Sequence, residues 1–285
     1  MRCSAGSTAI NSKLARRFAA HAVLIGYTAV ALWPVLFILA NSFKSRRAIF
    51  AAPLALPGPG SFDLVGYTTV LRGGSFGTYF ANSLIVTLAS LAGIIAFGSM
   101  AAFALAEYRF RLNTLTGLYL MLGIMIPIRL GTIGILELMV GTHLVNTLAA
   151  LILVYIASGL PIAVFVLTEF MRTISDDLKN AGRIDGLSEY EIFGWLALPL
   201  VRPALSTVAV FTMIPIWNDL WFPLILAPGE STKTVTLGAQ QFIGQYVTDW
   251  NAVLAALSLG ILPVIMLYVL FSKNLIRGIS SGAIK

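Results

Sequence analysis

Cysteine, histidine and charge are scarce in this sequence. One cysteine, Cys3, among 285 residues excludes an internal disulfide and a metal site built from several thiolates. The two histidines, His21 and His143, lie far apart and without a nearby second ligand type, which argues against a metal centre. Charged residues make up 11% of the chain and hydrophobic residues 58%. With a mean hydropathy of +0.88, this composition excludes an ordinary soluble domain and indicates a chain that lies within a bilayer.

The balance of charge is basic, with 19 Lys and Arg against 12 Asp and Glu and a formal net charge of +7. In membrane proteins such an excess is typical of cytoplasmic loops. We therefore expect the basic residues to flank membrane spans, and we do not expect a nucleic-acid partner.

Six apolar segments are long enough to cross a bilayer, which takes about 20 helical residues. They lie near 18–41, 79–105, 115–140, 148–170, 203–226 and 251–272. The first is too long for the core of a cleavable signal peptide, about 7–15 residues, so it is interpreted as an uncleaved span. Pro127 in the third segment and Pro215 and Pro223 in the fifth interrupt the helices, either as kinks or as backbone that lines a cavity. The sequence thus predicts an all-α integral membrane protein with six transmembrane helices.

Lys and Arg are distributed unevenly between the two sides that these spans define. The side with both termini and the segment 171–202 collects 13 basic residues, and the other side collects 5. Because basic residues are retained in the cytoplasm, both termini and this segment are predicted to be cytoplasmic. Lys44, Arg46 and Arg47 form a local exception on the external side.

The second span is crowded with small residues, which let helix backbones approach closely in lipid. They are Ala89, Ser90, Ala92, Gly93, Ala96, Gly98, Ser99, Ala101 and Ala102. We therefore expect a core bundle that begins at about residue 75.

The predicted layout is a cytoplasmic tail 1–17, a peripheral first helix 18–41, an external connector 42–74, a core domain 75–274 of five transmembrane helices with the loop 171–202, and a cytoplasmic tail 275–285.

A polar segment between the fourth and fifth spans has the signals of two short helices. Ser175 is a suitable N-cap, and Gly186 suits the left-handed position that ends a helix. Ser188 and Glu191 have the spacing of a capping box, so a second helix should begin there. Pro199 is expected to end it, and Pro203 to occupy the first turn of the next span. The alternative is a solvated loop that merely joins two spans.

Three motifs in this segment and beyond it carry a resemblance to a known family. They are Asn180-Ala181-Gly182 with Asp185-Gly186, Ile192-Phe193 and Leu198-Pro199-Leu200; Trp217-Asn218-Asp219 with Trp221-Phe222-Pro223-Leu224; and the tail from Arg277 to Lys285. The first resembles the EAA loop of permease subunits of binding-protein-dependent ABC importers, and all three are similar to the second permease of maltose-type carbohydrate importers. Asn180 and Gly182 depart from the family pattern, which has glutamate and alanine there, and Leu187 replaces a usual alanine.

The resemblance implies a type I ABC importer permease fold with a cytoplasmic coupling helix pair. The residues that would dock on an ATPase are Asn180, Ala181, Gly182, Asp185, Gly186, Ile192 and Phe193. The implied partners are a second permease subunit, two ATPase subunits, an extracytoplasmic solute-binding protein, a sugar substrate and the lipid of a bacterial cytoplasmic (inner) membrane.

The chain itself lacks a phosphate-binding loop. The nearest segment, Gly229 to Thr234, has no second glycine before its lysine, so a Walker mechanism is excluded. We therefore interpret the chain as a transport subunit and not an enzyme, with no catalytic residue, cofactor or metal of its own. ATP and Mg would be bound by the partner ATPase subunits.

Charged residues inside spans are costly, at least about 2.5 kcal/mol each, and so indicate a protein interior or a water-filled path. Arg129, Glu137 and Asp219 are such residues. Together with Trp217, Asn218 and Trp221, they are the candidates for a translocation path. The alternatives are a structural ion pair and an interfacial aromatic belt, and in maltose-type relatives the other permease mainly holds the sugar. Arg129 would also suit an anionic sugar derivative.

The segment from Gly229 to Asn251 resembles the external loop that reaches the solute-binding protein in these systems. Gly238, Gln240, Gln241 and Tyr246 are its candidate contacts, and a solvated hairpin is the alternative. Two rival functions remain open from sequence. One is a secondary transporter that couples to ions through Asp219 or Glu137, and the other is a membrane-embedded enzyme.

Overall fold

The computed structural model describes residues 5–73, 75–243 and 248–282, with side chains over 16–73, 75–243 and 248–266. Within these residues the chain is helical and has no β-strand beyond two isolated bridges. The α-helices are α1 (Ala5–Ser42), α2 (Arg46–Ala51), α3 (Val65–Arg72), α4 (Phe76–Glu107), α5 (Asn113–Met125), α6 (Thr132–Gly141), α7 (Leu148–Met171), α8 (Asp176–Ile184), α9 (Glu189–Glu191), α10 (Leu198–Leu200), α11 (Arg202–Asn218), α12 (Trp221–Leu226), α13 (Val235–Ala239) and α14 (Trp250–Gly282).

Three stretches of the described helices are long and apolar enough to cross a membrane. They are Arg16–Ser42 of α1, α4 and α7, and the number rises to five if each of two bent pairs counts as one span. In α14 the apolar part found is the shorter stretch Trp250–Met266. An all-helical membrane fold is therefore confirmed, while the count of six spans stays a prediction.

Two predicted spans are broken sharply. The third divides into α5 and a second helical stretch, Ile128–Gly141, bent by 88° at Ile126 and Pro127. Ile126 and Pro127 are extended, as expected for a residue before proline and for a proline that cannot donate to the helix. The predicted fifth span comprises α11 and α12, with Asp219 and Leu220 between them. The 88° bend after α5 is more abrupt than a kink within a continuous helix.

The chain forms two compact units, and the larger comprises Gly73–Gln241 and Leu259–Lys285. Here α4 packs against α7, and the small residues of α4 make the approach possible. A Cβ added at Gly98 would lie 2.9 Å from Cβ of Ala163, and one at Gly159 of α7 would lie 2.4 Å from Cδ1 of Ile94. The expected close packing of the small-residue helix is thus confirmed. Further buried members of this core include Val86, Leu151, Leu167, Ile192 and Leu226.

The smaller unit comprises Met1–Arg72 and Phe242–Ser258. Lys44, just after α1, is only 1% exposed. Its Nζ donates hydrogen bonds to Oδ1 of Asn41 (3.1 Å) and to the carbonyls of Ala52 (3.0 Å) and Pro53 (3.2 Å), and desolvation lowers its pKa. This lysine therefore joins the end of α1 to the chain after α2, a role that its place in a basic cluster did not indicate.

Candidate functional site

The polar segment after α7 forms the expected pair of short helices, α8 and α9. Oγ of Ser175 accepts a hydrogen bond from the backbone N–H of Asp177 at 3.2 Å. Gly186 adopts a φ of 87°, in the left-handed region. Ser188 and Glu191 form a capping box, in which the Glu191 carboxylate accepts from the Ser188 backbone N–H at 2.8 Å and so has a lowered pKa. All three sequence predictions for the pair are confirmed.

The helix expected to stop at Pro199 ends one residue later, at Leu200, so this prediction is confirmed to within a residue. A π-helix, Ile192–Ala197, follows α9 and leads into α10, and together they form one helical stretch, Glu189–Leu200. The break comes at Val201, where the chain bends by 76° before α11. Pro203 lies in the first turn of α11, as predicted.

Four of the seven residues expected to dock on a partner are exposed. They are Asn180, Ala181, Asp185 and Gly186. Two large apolar side chains of this segment are exposed as well, Ile184 at 86% and Tyr190 at 82%, and Leu178 is also exposed. Exposed apolar side chains rimmed by polar ones are typical of a protein–protein contact.

The other three of the seven residues are buried or partly buried and pack against other parts of the chain. Ile192 is fully buried, and Phe193 packs on Phe103 of α4 with ring centroids 5.4 Å apart. Gly182 is buried, and a Cβ added there would lie 3.0 Å from Cδ1 of Leu196. Gly182 was expected to dock on an ATPase, but the side chain that approaches it is the chain's own Leu196.

A charged cluster joins α8 to the end of α4. Glu107, the last residue of α4, places one carboxylate oxygen on Nζ of Lys179 and the other on Nη2 of Arg183, the latter at 2.6 Å. The side chains of Lys179 and Glu107 are only 7% and 11% exposed. Lys179 also pairs with Asp176 at 2.7 Å. Burial alone would lower the pKa of Lys179, but the hydrogen bonds to Asp176 and Glu107 outweigh it, so the pKa is raised.

Arg183 extends this cluster to α9. Its Nε donates to Glu189 at 2.7 Å and its Nη1 to Oδ1 of Asn180 at 2.8 Å. The hydroxyl of Tyr108 donates to Glu189 at 2.9 Å. The hydrogen bond from Arg183 lowers the pKa of Glu189, whereas burial and the neighbouring Glu189 raise the pKa of Tyr108 to about 12. Sequence reasoning missed this cluster, although Lys179 and Arg183 share one face of α8 at i and i+4.

A cleft of about 320 Å³ is lined by two of the predicted path residues, Arg129 and Asp219, together with Tyr155. A third, Trp221, lies beside Arg129. The Asp219 carboxylate accepts from the Tyr155 hydroxyl at 2.8 Å and pairs with Nη2 of Arg129 at 3.6 Å. It also accepts from the backbone N–H groups of Trp221 (3.2 Å) and Phe222 (3.1 Å), which caps α12. Asp219 is therefore saturated with donors and only 9% exposed.

Arg129 is the accessible charge of this cleft, with 66% of its side chain exposed. Its guanidinium carbon lies 5.8 Å from the centre of the Trp221 ring, within cation–π range. Nε1 of Trp221 donates to Oγ1 of Thr132 at 3.0 Å, which holds the ring in place. The ionic partner of Arg129 is thus Asp219, 90 residues away in sequence, and not Glu137.

The remaining path candidates lie elsewhere. Glu137 is exposed and has no ion-pair partner among the described side chains. Trp217 is 5% exposed, donates to the Gly260 carbonyl at 3.0 Å and meets the Phe80 ring edge to face. Asn218 is exposed, and its amide donates to the Ile214 carbonyl at 3.0 Å. Trp217 therefore contributes to packing in this chain.

The loop after α12 is held against the start of α4. The Tyr79 hydroxyl donates to Glu230 at 2.6 Å, and the Asn82 amide donates to the carbonyls of Ser231 and Lys233, both at 2.9 Å. Hydrogen bonds from Lys233, Tyr79 and Gln241 lower the pKa of Glu230 to about 2. These contacts fix a loop that sequence alone leaves open as a solvated hairpin.

The candidate contact residues of this loop differ in exposure. Gln240 and Gln241 are exposed. Gly238 is buried, because a Cβ there would lie 2.2 Å from the Tyr79 ring, so it serves the loop by admitting that ring. Tyr246 lies outside the described residues.

Comparisons with known proteins agree on one family. Residues 94–281 match the family model described as a binding-protein-dependent transport system inner membrane component. A putative ABC transporter permease protein of a Caldicellulosiruptor species is 36% identical over 91% of this chain and 94% of its own length. The diacetylchitobiose uptake system permease protein of Streptomyces coelicolor is 31% identical over 95% of this chain and 90% of its own length.

A solved structure shares the fold. A chain of a bacterial ABC transporter involved in the import of the acidic polysaccharide alginate superposes with a TM-score of 0.78. The two sequences are 22% identical, and the match covers 96% of this chain and all of that one. This likeness places the helices described above in a known architecture.

Proposed function

The chain belongs to the family of binding-protein-dependent transport system inner membrane components, and on that premise we propose that it is the permease subunit of an ATP-driven sugar importer. The uptake of diacetylchitobiose by the system of the Streptomyces relative supports a sugar as substrate. The chain makes and breaks no covalent bond. Its task is to move a sugar across the membrane while partner subunits bind ATP and Mg and hydrolyse the ATP.

The helix pair α8–α9 carries this proposal, because it combines an exposed apolar face with a fixed internal structure. Ile184 and Tyr190 project from a frame that is capped at Ser175 and Ser188 and turned at Gly186. A loop that only joined two spans would need a few residues and no such face. We assign this face to the groove of an ATPase subunit.

The other partners follow from the same architecture. We propose that a second permease completes the path and that two ATPase subunits bind at the cytoplasmic side. An extracytoplasmic solute-binding protein would contact the loop that presents Gln240 and Gln241. In this arrangement both termini are cytoplasmic and the chain resides in the inner membrane of a bacterium. The layout with a core domain over 75–274 belongs to the same proposal.

The cleft lined by Arg129 and Asp219, with Trp221 beside Arg129, is our candidate for this chain's share of the translocation path. Its size falls in the range of small-molecule sites, about 300–1,000 Å³. The Trp221 ring suits the C–H face of a sugar, and the paired charges of Arg129 and Asp219 suit hydroxyl groups. Since the cation already has an anionic partner, we propose a sugar without a required acidic group.

Reconstitution of the complete importer in liposomes tests the proposal. We expect labelled oligosaccharide to enter only with ATP and with the partner subunits present. Ile184→Asp should reduce retention of the ATPase subunits at least about tenfold by placing a charge in the apolar contact, whereas Ile184→Leu should retain them. Uptake by the isolated chain without ATP would instead support an ion-coupled carrier, and full retention in Ile184→Asp would overturn the assigned face.

A further inference from the structure

The last residue of α4 carries a charge of the unfavourable sign for its position. Helix C-termini favour cations, because the last carbonyl groups give that end a partial negative charge. Glu107 places a carboxylate there and is nevertheless nearly buried, at 11% exposure. Two cations from α8 compensate it, one on each oxygen. Glu107 is thus unfavourable for its own helix and is stabilised by two cations of another helix. We call this contact between α4 and α8 the joint.

We propose that Glu107 is the positioning residue that makes α4 move with the helix pair α8–α9, an inference that rests on the proposed role of that pair. The pair is continuous in sequence with α7 on one side and with the π-helix and α10 on the other. Only contacts between side chains link it to α4. The Glu107 cluster, with the Phe103–Phe193 ring contact beside it, is that link.

The joint is stiff because its charges are buried. Lys179 is 7% exposed, so separating it from Glu107 would leave a poorly solvated charge whose remaining partner is the exposed Asp176. Exposed pairs are different, since water replaces the lost partner. Glu169 and Arg172, at 61% and 53% exposure near the end of α7, form such a pair in the same region of the chain.

Both helices of the pair reach the same point of α4. Arg183 of α8 contacts Glu107 and Glu189 together, and Glu189 of α9 also receives the hydroxyl of Tyr108. A displacement of either helix is thus transferred to the end of α4. The two-point attachment also resists rotation of the pair about Glu107.

The consequence extends to the opposite end of α4. This helix has 32 residues and contains no proline, so it is a continuous rod about 48 Å long. Its first turns hold the loop after α12 through Tyr79 and Asn82. Through Glu107, motion of the helix pair would therefore reach the loop assigned to the solute-binding protein without passing through the translocation cleft.

The test compares Glu107→Gln with Glu169→Gln in the reconstituted importer, and measures sugar transported per ATP hydrolysed. We expect Glu107→Gln to lower this ratio at least about fivefold while hydrolysis by the partner subunits continues, because the neutral amide cannot pair with two cations. Glu107→Asp, which keeps the charge on a shorter side chain, should restore part of the ratio. Glu169→Gln should leave it unchanged.

Arg183→Gln provides a second variant on the half-exposed side of the joint, should Glu107→Gln fail to assemble. It leaves the Lys179–Glu107 pair intact and should lower the ratio by a smaller factor. A wild-type ratio in either Glu107→Gln or Arg183→Gln would overturn the inference alone, provided that the unmodified importer transports sugar with ATP. If the unmodified importer shows no ATP-dependent uptake, the proposed function and this inference both fail.

Discussion

Single residues divide into those whose role is set by near neighbours and those whose role depends on distant ones. Ser175, Gly186 and the Ser188–Glu191 box act within a few residues, and sequence predicted each of them. Glu107 lies 72 residues from Lys179, so no local pattern pairs them. Arg129 likewise pairs with Asp219, 90 residues away in the break between α11 and α12, and no local pattern indicates this pair.

Arg129→Gln is the residue-scale prediction. Because Arg129 pairs with Asp219 and lies by Trp221, its loss should disturb the cleft and reduce uptake of neutral and acidic sugars by the same factor. Uptake by the reconstituted importer with matched neutral and acidic oligosaccharides measures this. Arg72→Gln, at an exposed position in α3, serves as the control. A selective loss of the acidic sugar would instead identify Arg129 as an anion-binding residue.

At the scale of elements, apolar length predicted where helices form but not where they break. The ends of α4 and α7 fall within three residues of the expected spans. The break at Pro127 and the separation of α12 from α11 depend on whether the freed backbone groups find partners outside the regular helix. Asp219 shows this, since it caps α12 with its own carboxylate. The helix end near Pro199 was predicted to within one residue, because proline ends a helix through its own covalent structure.

The turn between α8 and α9 supports the element-scale prediction. Gly186 has a φ of 87° and no atom within 4 Å of an added Cβ. A side chain there would therefore meet no steric clash, and its unfavourable energy would come from the left-handed backbone conformation alone. Gly186→Val should weaken coupling, because β-branched residues disfavour this region by about 1–2 kcal/mol. Gly186→Asn should be nearly normal, since asparagine tolerates it.

Sugar uptake per ATP in the reconstituted importer separates these two variants. Membrane insertion and the amount of purified subunit should stay the same in both. Equal ratios for Gly186→Val and Gly186→Asn would contradict a role for this turn in coupling.

For the whole molecule, the excess of basic residues on one side predicts both termini in the cytoplasm. The exception after the first helix is smaller than it looked, because Lys44 is 1% exposed and bonded to carbonyl and amide oxygens. Lys44 is a buried hydrogen-bond donor in the folded chain. A count of charges along the sequence does not reveal that a residue is buried.

The single native cysteine allows the orientation to be measured. In spheroplasts, a thiol reagent that cannot cross membranes should label Cys3 only after permeabilisation. In a Cys3→Ser background, Ala55→Cys lies in the exposed connector and should be labelled without it. Labelling of Cys3 in intact spheroplasts would contradict the assigned topology.

The π-helix Ile192–Ala197 has a consequence for how this sequence can diverge. A π-turn holds one residue more than the α-helix it replaces, so deleting a single residue here would wind the segment into a regular helix. Because the extra residue is absorbed within that turn, the helix after it would keep nearly the same orientation relative to α9. In a regular α-helix the same deletion would rotate everything after it by about 100°. Loss of one residue should therefore be tolerated better at these six positions than within α4 or α7.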